Sequence, residues 1–306
     1  MLLAAPLNVE ILCHLQEGAL SLQDLRNKLG LPPQSTMRLY LRQLTEIGVV
    51  VRRSRSEFPT SVEYEITQAG QELLEVGSAA ETWLQASPTG SRELGTGAAK
   101  SSIKALVEGW SSHLIRVLAA RPLSLTELDS LIPRISYPSL ERRLTAMREC
   151  DLVEVQQAAG RLRPYEVTHW LRRAVGPLTS AIAWERTHAA DTTAKIGRFD
   201  VEAVFLLAVP LLRLANDLNG RCRLAMEVHD GPAPVFAGVL VSFEDGEVTS
   251  CVANLEGRAE AWASGKPLSW LRQMNLASNR DLELGGDRAL ARSVLEALSR
   301  TTNEPG

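Results

Sequence analysis

Aromatic residues make up only 5% of this 306-residue chain, and histidine occupies just five positions. The four cysteines, Cys13, Cys150, Cys222 and Cys251, are scattered without a C-x-x-C pair, and the histidines show no metal spacing. A disulfide framework and a zinc site are therefore excluded, and the cysteines read as buried thiols. Long apolar runs are missing as well. The longest, Val201 to Leu214, is interrupted by Glu202, Pro210 and Arg213 and stops short of a membrane span. The opening MLLAAPLNVEILCHL has no basic lead-in and makes a poor signal peptide, so a cytoplasmic protein is expected. A G-x-S-x-G elbow, a Walker loop, an H-E-x-x-H pair and a dinucleotide fingerprint are all absent. No catalytic residue, metal or cofactor is expected, and the chain reads as no enzyme. A basic excess is lacking too. The net charge of −3 counts, on its face, against a nucleic-acid partner.

What is present is a repeat. LSLQDLRNKL at 20–29 recurs as LSLTELDSLI at 123–132, and Met37, Leu41 and Leu44 fall on Leu140, Leu144 and Met147 at the same offset of 103. Tyr64-Glu65-Ile66-Thr67 matches Tyr165-Glu166-Val167-Thr168 at an offset of 101, which Trp83 and Trp184 also keep. A unit is therefore written twice, with a shorter hairpin loop in its second copy. Ser21 with Asp24, and Ser124 with Glu127, form capping-box patterns that start a helix. A proline-bearing turn and a second helix with an i, i+4, i+7 apolar stripe follow. Two short β-type segments and a closing helix complete each copy. Helix, turn, helix and hairpin make the winged-helix plan.

On these residues the second copy, from ALVEGWSSHLIRVLAARPLSLTELDSLIP through ISYPSLERRLTAMRECDLVEV to YEVTHWLRRAVGPLTSAIAWE, resembles the HxlR family of winged-helix regulators. The first copy, SLQDLRNKLGLPPQSTMRLYLRQLTEIGVVVRR and FPTSVEYEITQAGQELL, is similar to a more divergent member. The resemblance implies double-stranded DNA as partner. It also implies paired recognition helices, met here by a monomeric pseudo-dimer or by a homodimer.

Divided along the chain, the charge changes its meaning. Residues 1–90 are net −3, residues 91–190 net +4 and residues 191–306 net −4. The positive third coincides with the second copy, where phosphate contacts are expected. Its recognition-helix candidates are Ser136, Tyr137, Ser139, Arg142 and Arg143, with Arg161 and Arg163 on the wing. In the first copy Leu39 and Tyr40 stand where the second has Arg142 and Arg143. Ser35, Thr36, Arg38 and Arg42 remain as candidates on its helix, and Arg52, Arg53 and Arg55 on its wing. This copy is expected to be the weaker reader.

The expected architecture is mainly α with an α+β region: winged-helix domains at 1–84 and 101–190, a flexible Gly/Ser/Pro-rich linker at 85–100, and an α+β domain at 199–306. In that last region residues 221–230 alternate, and 233–253 read as two strands joined at Asp245-Gly246. Helices are expected at 257–263, 267–274 and 287–298, beside a small antiparallel sheet. EAWASGKPLSWL and LELGGDRALARSVLEAL resemble the sterol-carrier-protein-like fold, which implies an apolar cavity. Met226, Phe236, Leu240, Trp262, Trp270, Leu271 and Met274 are its candidate lining for a hydrophobic effector. The expected function is a DNA-binding regulator with ligand sensing. The alternative is a ligand-sequestering or resistance protein that uses the winged helices as a dimerisation scaffold.

Overall fold

The computed structural model describes residues 2–55, 61–107, 111–133, 135–156, 163–188, 196–229, 233–276 and 281–303. After a 3-10 turn at Leu2–Ala4, the first unit runs α1 (Pro6–Gln16), β1 (Leu20–Ser21), α2 (Leu22–Lys28), α3 (Gln34–Glu46), β2 (Val50–Arg55), β3 (Ser61–Ile66) and α4 (Gln68–Gln85). Ser21 caps α2: its Oγ accepts from the Asp24 N–H at 3.2 Å, and Asp24 Oδ2 accepts from the Ser21 N–H at 3.3 Å. Gly30 and Leu31 take positive φ in the turn, and Pro33 leads into α3. Met37, Leu41 and Leu44 bury the inner face of α3 against α1, the sheet and α4, as their spacing predicts. The β2–β3 hairpin is antiparallel, and β1 adds to β3. Thr67 closes the unit by capping α4 and donating to the Gly48 carbonyl at 2.7 Å.

The same order of elements follows further on: α5 (Gly97–Val107), then α6 (Ser111–Ala120), α7 (Leu125–Leu131), α8 (Tyr137–Glu149), β4 (Val153–Val155), β5 (Tyr165–Val167), α9 (His169–Arg173) and α10 (Val175–His188). Ser124 and Glu127 form the second capping box. The Leu123–Tyr165 bridge stands where Leu20 pairs Tyr64. Thr168 donates to the Asp151 carbonyl as Thr67 does to that of Gly48, and both acceptor residues have positive φ. Where the first unit closes with one helix, the second breaks at Ala174. Pro177 lacks the N–H that would bond the Arg173 carbonyl, so the ladder cannot run through.

Residues 85–100, expected as a flexible linker, make specific contacts with the second unit. Arg92 donates to Ser102 Oγ at 2.5 Å and to the Cys150 carbonyl at 3.0 Å, ion-pairs with Asp151, and lies 4.9 Å above the Trp170 ring. Beyond it α5 has already begun at Gly97. It packs on α8, and its Ala99, Ala105 and Leu106 are buried.

The C-terminal region comprises α11 (Arg198–Ala208), β6 (Gly220–Val228), β7 (Val235–Glu244), β8 (Glu247–Val252), β9 (Ala261–Gly265), α12 (Pro267–Leu276), β10 (Glu283–Gly286) and α13 (Arg288–Asn303). The predicted hairpin is present, with Asp245 and Gly246 both at positive φ. The helix expected at 257–263 is absent. Ala261–Gly265 is instead a strand lying parallel to β6 and antiparallel to β10, so the five-stranded sheet is mixed, in the order β10-β9-β6-β7-β8. Ala261 and Ala263 face inward with period two, and Glu260 fixes the strand start by accepting from the Arg221 N–H at 2.7 Å. Asp287 caps α13 through bonds from the Ala289 and Leu290 N–H groups.

The first unit has its own core. Residues from α5 to α10 instead share one continuous core with the C-terminal region, through α11 on α6. At that seam Glu202, 1% exposed, bonds Arg116 and, at 2.7 Å, Arg198. Among the described residues no helix is long and apolar enough to cross a membrane.

Candidate nucleic-acid interface

The hairpin of the first unit folds beside α3, and the cleft between them is a groove edged by Arg38, Arg42 and Arg52, with Leu41, Thr45, Glu46 and Tyr64 completing its wall. The geometry follows from two periodicities. Arg38 and Arg42 sit one turn apart on the exposed side of α3, while Met37 and Leu41 point inward. On β2, Arg52 stands opposite Tyr64 in the hairpin register. All three arginines are exposed. Ser35 is exposed and Thr36 half-buried at the start of α3, and Leu39 is 50% exposed beside the arginines. Arg53 is exposed but ion-paired with Glu65 at 2.6 Å, which partly neutralises it. Arg55 ends β2 at the hairpin register Arg55–Ser61, and its side chain lies outside the described residues. Tyr64 and Thr45 were not among the sequence candidates; the strand pairing of Arg52 with Tyr64 is the signal that finds the former.

The equivalent surface of the second unit is different. Each recognition helix is 13 residues long, so the offset of 103 carries Arg38, Arg42 and Arg52 onto Glu141, Thr145 and Val155. Arg142 and Tyr137 are exposed, Tyr137 to 46%, and Ser139 is half-buried. Ser136 Oγ donates to Ser139 Oγ at 2.9 Å. Arg163 is exposed; Arg161 lies outside the described residues. Arg143, expected on the groove face, turns away from it. Its Nη2 donates to the Ala105 carbonyl of α5 at 2.7 Å, and it is half-buried there. Tyr40, its counterpart, is partly buried against the core, while Leu39 is 50% exposed.

Several arginines of residues 91–190 are held by bonds within the fold. Arg92 holds the inter-unit segment, Arg116 pairs with buried Glu202, and Arg121 pairs with Glu127 at 3.0 Å. Arg172 donates to the Leu206 carbonyl at 2.8 Å and to that of Ala119 at 3.4 Å, and burial lowers its pKa. These arginines are structural, while Arg142, Arg148 and Arg163 stay exposed.

The units meet along α4 and α10. Trp83 Nε1 donates to the Trp170 carbonyl at 2.9 Å, and Trp184 Nε1 donates to the Ala69 carbonyl at 2.7 Å. Under the offset of 101, Trp83 maps onto Trp184 and Ala69 onto Trp170, so the bonds are counterparts across a pseudo-two-fold axis. Trp170 returns a bond to the Trp83 carbonyl at 2.7 Å, and the two indoles stack at 4.3 Å with 7° between planes. His188 Nε2 meets Glu72 Oε2 at 2.5 Å across the same seam, and that bond holds the Glu72 carboxyl below its ordinary range.

The seven lining candidates of the C-terminal region do not surround one cavity. Met226, Trp270, Leu271 and Met274 are buried on the inner face of the sheet, where Trp270 Nε1 donates to the Ala225 carbonyl at 2.9 Å. Leu240 and Trp262 flank Arg223 in the register of the opposite face, which Phe236 shares and where it is 55% exposed. Side-chain alternation divides the set. Burial pushes the Cys222 and Cys251 thiols up to about 12; Cys150 is half-buried, and Cys13 is exposed rather than buried. No metal-binding cluster occurs among the described residues.

No curated protein matches the chain. Residues 3–89, the unit that carries the Arg38–Arg42–Arg52 groove, match the family of HxlR-like helix-turn-helix domains, winged helices of DNA-binding transcription regulators.

Proposed function

We propose that the protein is a transcriptional regulator whose first unit, not its second, makes the principal DNA contact. The carrying observation is the three-arginine groove between α3 and the wing, in the segment that matches the HxlR-like domain. An arginine on the helix serves base edges, whereas one on the wing serves phosphates. Residues 97–188 act as a second winged-helix unit. The repeated order of elements and the paired tryptophan bonds support this, and make the chain a pseudo-dimer that needs no second copy. Tyr137, Ser139, Arg142 and Arg163 form its lighter contact. The likeness of residues 199–306 to the sterol-carrier-protein-like fold is supported by a sheet with α12 and α13 packed against it. Its part in this reading is to brace the second unit through α11. A cytoplasmic location goes with this reading.

The test uses duplexes that the wild-type chain selects from a random-sequence library. Replacing Arg38, Arg42 and Arg52 together by alanine is expected to flatten the plot of log affinity against log salt by about one, for the phosphate contact of Arg52, and to relax the base preference read by Arg38 and Arg42. An unchanged salt slope contradicts the reading.

A further inference from the structure

An apolar cavity of about 400 Å³ lies on the seam between the two units. Val76 and Trp83 of α4, Leu178 and Trp184 of α10, Leu106 of α5 and Leu3 of the opening turn all contribute to its wall. Its only charged lining residue among those described is Glu185, which is exposed at the mouth. The volume falls within the range of small-molecule sites and is far above what one water fills. Both wall tryptophans have spent their N–H groups on backbone carbonyls, Trp83 on Trp170 and Trp184 on Ala69. The indoles therefore offer ring surface and no spare donor. An occupant gains by burying apolar and aromatic area, meets little polar lining, and can direct a cationic end toward Glu185.

We propose that this cavity binds one small apolar, aromatic molecule per chain. The site does not depend on the DNA reading; its effect on DNA does. The occupant touches both units, and α5, which supplies one wall, holds Arg143 of α8 through the Ala105 carbonyl. A ligand that fits only one spacing of these elements selects that arrangement of the recognition helices.

The full chain is titrated with N-phenyl-1-naphthylamine, followed by probe emission and tryptophan quenching. One probe per chain is expected at micromolar concentration. Ala181→Trp, from the half contributed by α10, and Ala80→Leu, from α4, should each weaken binding about tenfold or more by filling the space. Phe236→Ser, on the far face of the C-terminal sheet, should change it by less than about twofold. Cooperative thermal melting checks that each variant is folded, and either filled variant alone decides. Absent binding, binding indifferent to filling, or binding lost in Phe236→Ser overturns the proposal. Self-association abolished by Ala181→Trp assigns the cavity to a second copy and overturns it equally. With the site established, DNA affinity unchanged at saturating probe overturns the coupling alone. A wild-type chain that binds no DNA without probe overturns the DNA reading and not the site.

Discussion

The two repeated units share a plan yet use their arginines in opposite ways. In the first, Arg38, Arg42 and Arg52 stand on the surface around one groove. In the second, Arg92, Arg116, Arg143 and Arg172 turn inward to carboxylates and carbonyl oxygens. The larger positive charge of the second unit is thus partly spent on internal bonds, with Arg142, Arg148 and Arg163 left exposed. Net charge predicts a nucleic-acid surface only after the internally bonded cations are subtracted. A unit that must join α5 on one side and α11 on the other also needs polar fasteners, because each seam buries backbone carbonyls at helix ends.

The largest effect that separates the units is on stability. Arg116→Ala strands Glu202, 1% exposed, with Arg198 as its remaining partner. A loss of about 3 kcal/mol or more in urea unfolding is expected, against less than about 0.5 kcal/mol for exposed Arg38→Ala. Equal, small losses would break the comparison. Next come the tryptophan counterparts. Trp83→Phe and Trp184→Phe each remove the indole N–H that donates across the seam, to the carbonyl of Trp170 and of Ala69 respectively. Each should cost about 1–2 kcal/mol, Trp83→Phe the more because it also disturbs the stack on Trp170. Arg143→Ala is expected to lower stability by about 1 kcal/mol, through the lost bond to Ala105, and to leave DNA affinity within about twofold. A large DNA defect with no change in melting would return Arg143 to the groove face. The smallest effect is acid-sensitive. Bonds from the Ser124 backbone and hydroxyl, and from Arg121, hold the Glu127 carboxyl down to about 2. Its folded-state pKa lies below the unfolded one, so its contribution is present above about pH 4.5 and fades as pH falls toward 2. Glu127→Gln should lower the melting temperature at pH 7, and the gap to the wild type should close as pH falls toward 2.

Local pattern was readable where local chemistry decides. The capping boxes at Ser21 and Ser124, the apolar stripes of α3 and α8, and the Asp245-Gly246 turn all depend on residues a few positions apart. Ala261–Gly265 was not readable, because GRAEAWA has good helix formers and only its place between β6 and β10 makes it a strand. The glycine-rich segment before α5 looked flexible because nothing nearby shows that Arg92 reaches Asp151, 59 positions away. Of the candidate interface, the identities of Arg38, Arg42 and Arg52 were legible, but their convergence was not. The destination of Arg143 was hidden for the same reason: its partner lies on α5, which sequence pattern did not reveal.

The central claim is that the first unit reads DNA through its groove and the second only assists. The most direct measurement compares two alanine variants on a duplex selected by the wild-type chain: Arg38/Arg42/Arg52 and Arg142/Arg163. At near-physiological salt the first should weaken binding about 100-fold or more and the second about tenfold or less. The reverse order, with both variants melting like the wild type, would contradict the account.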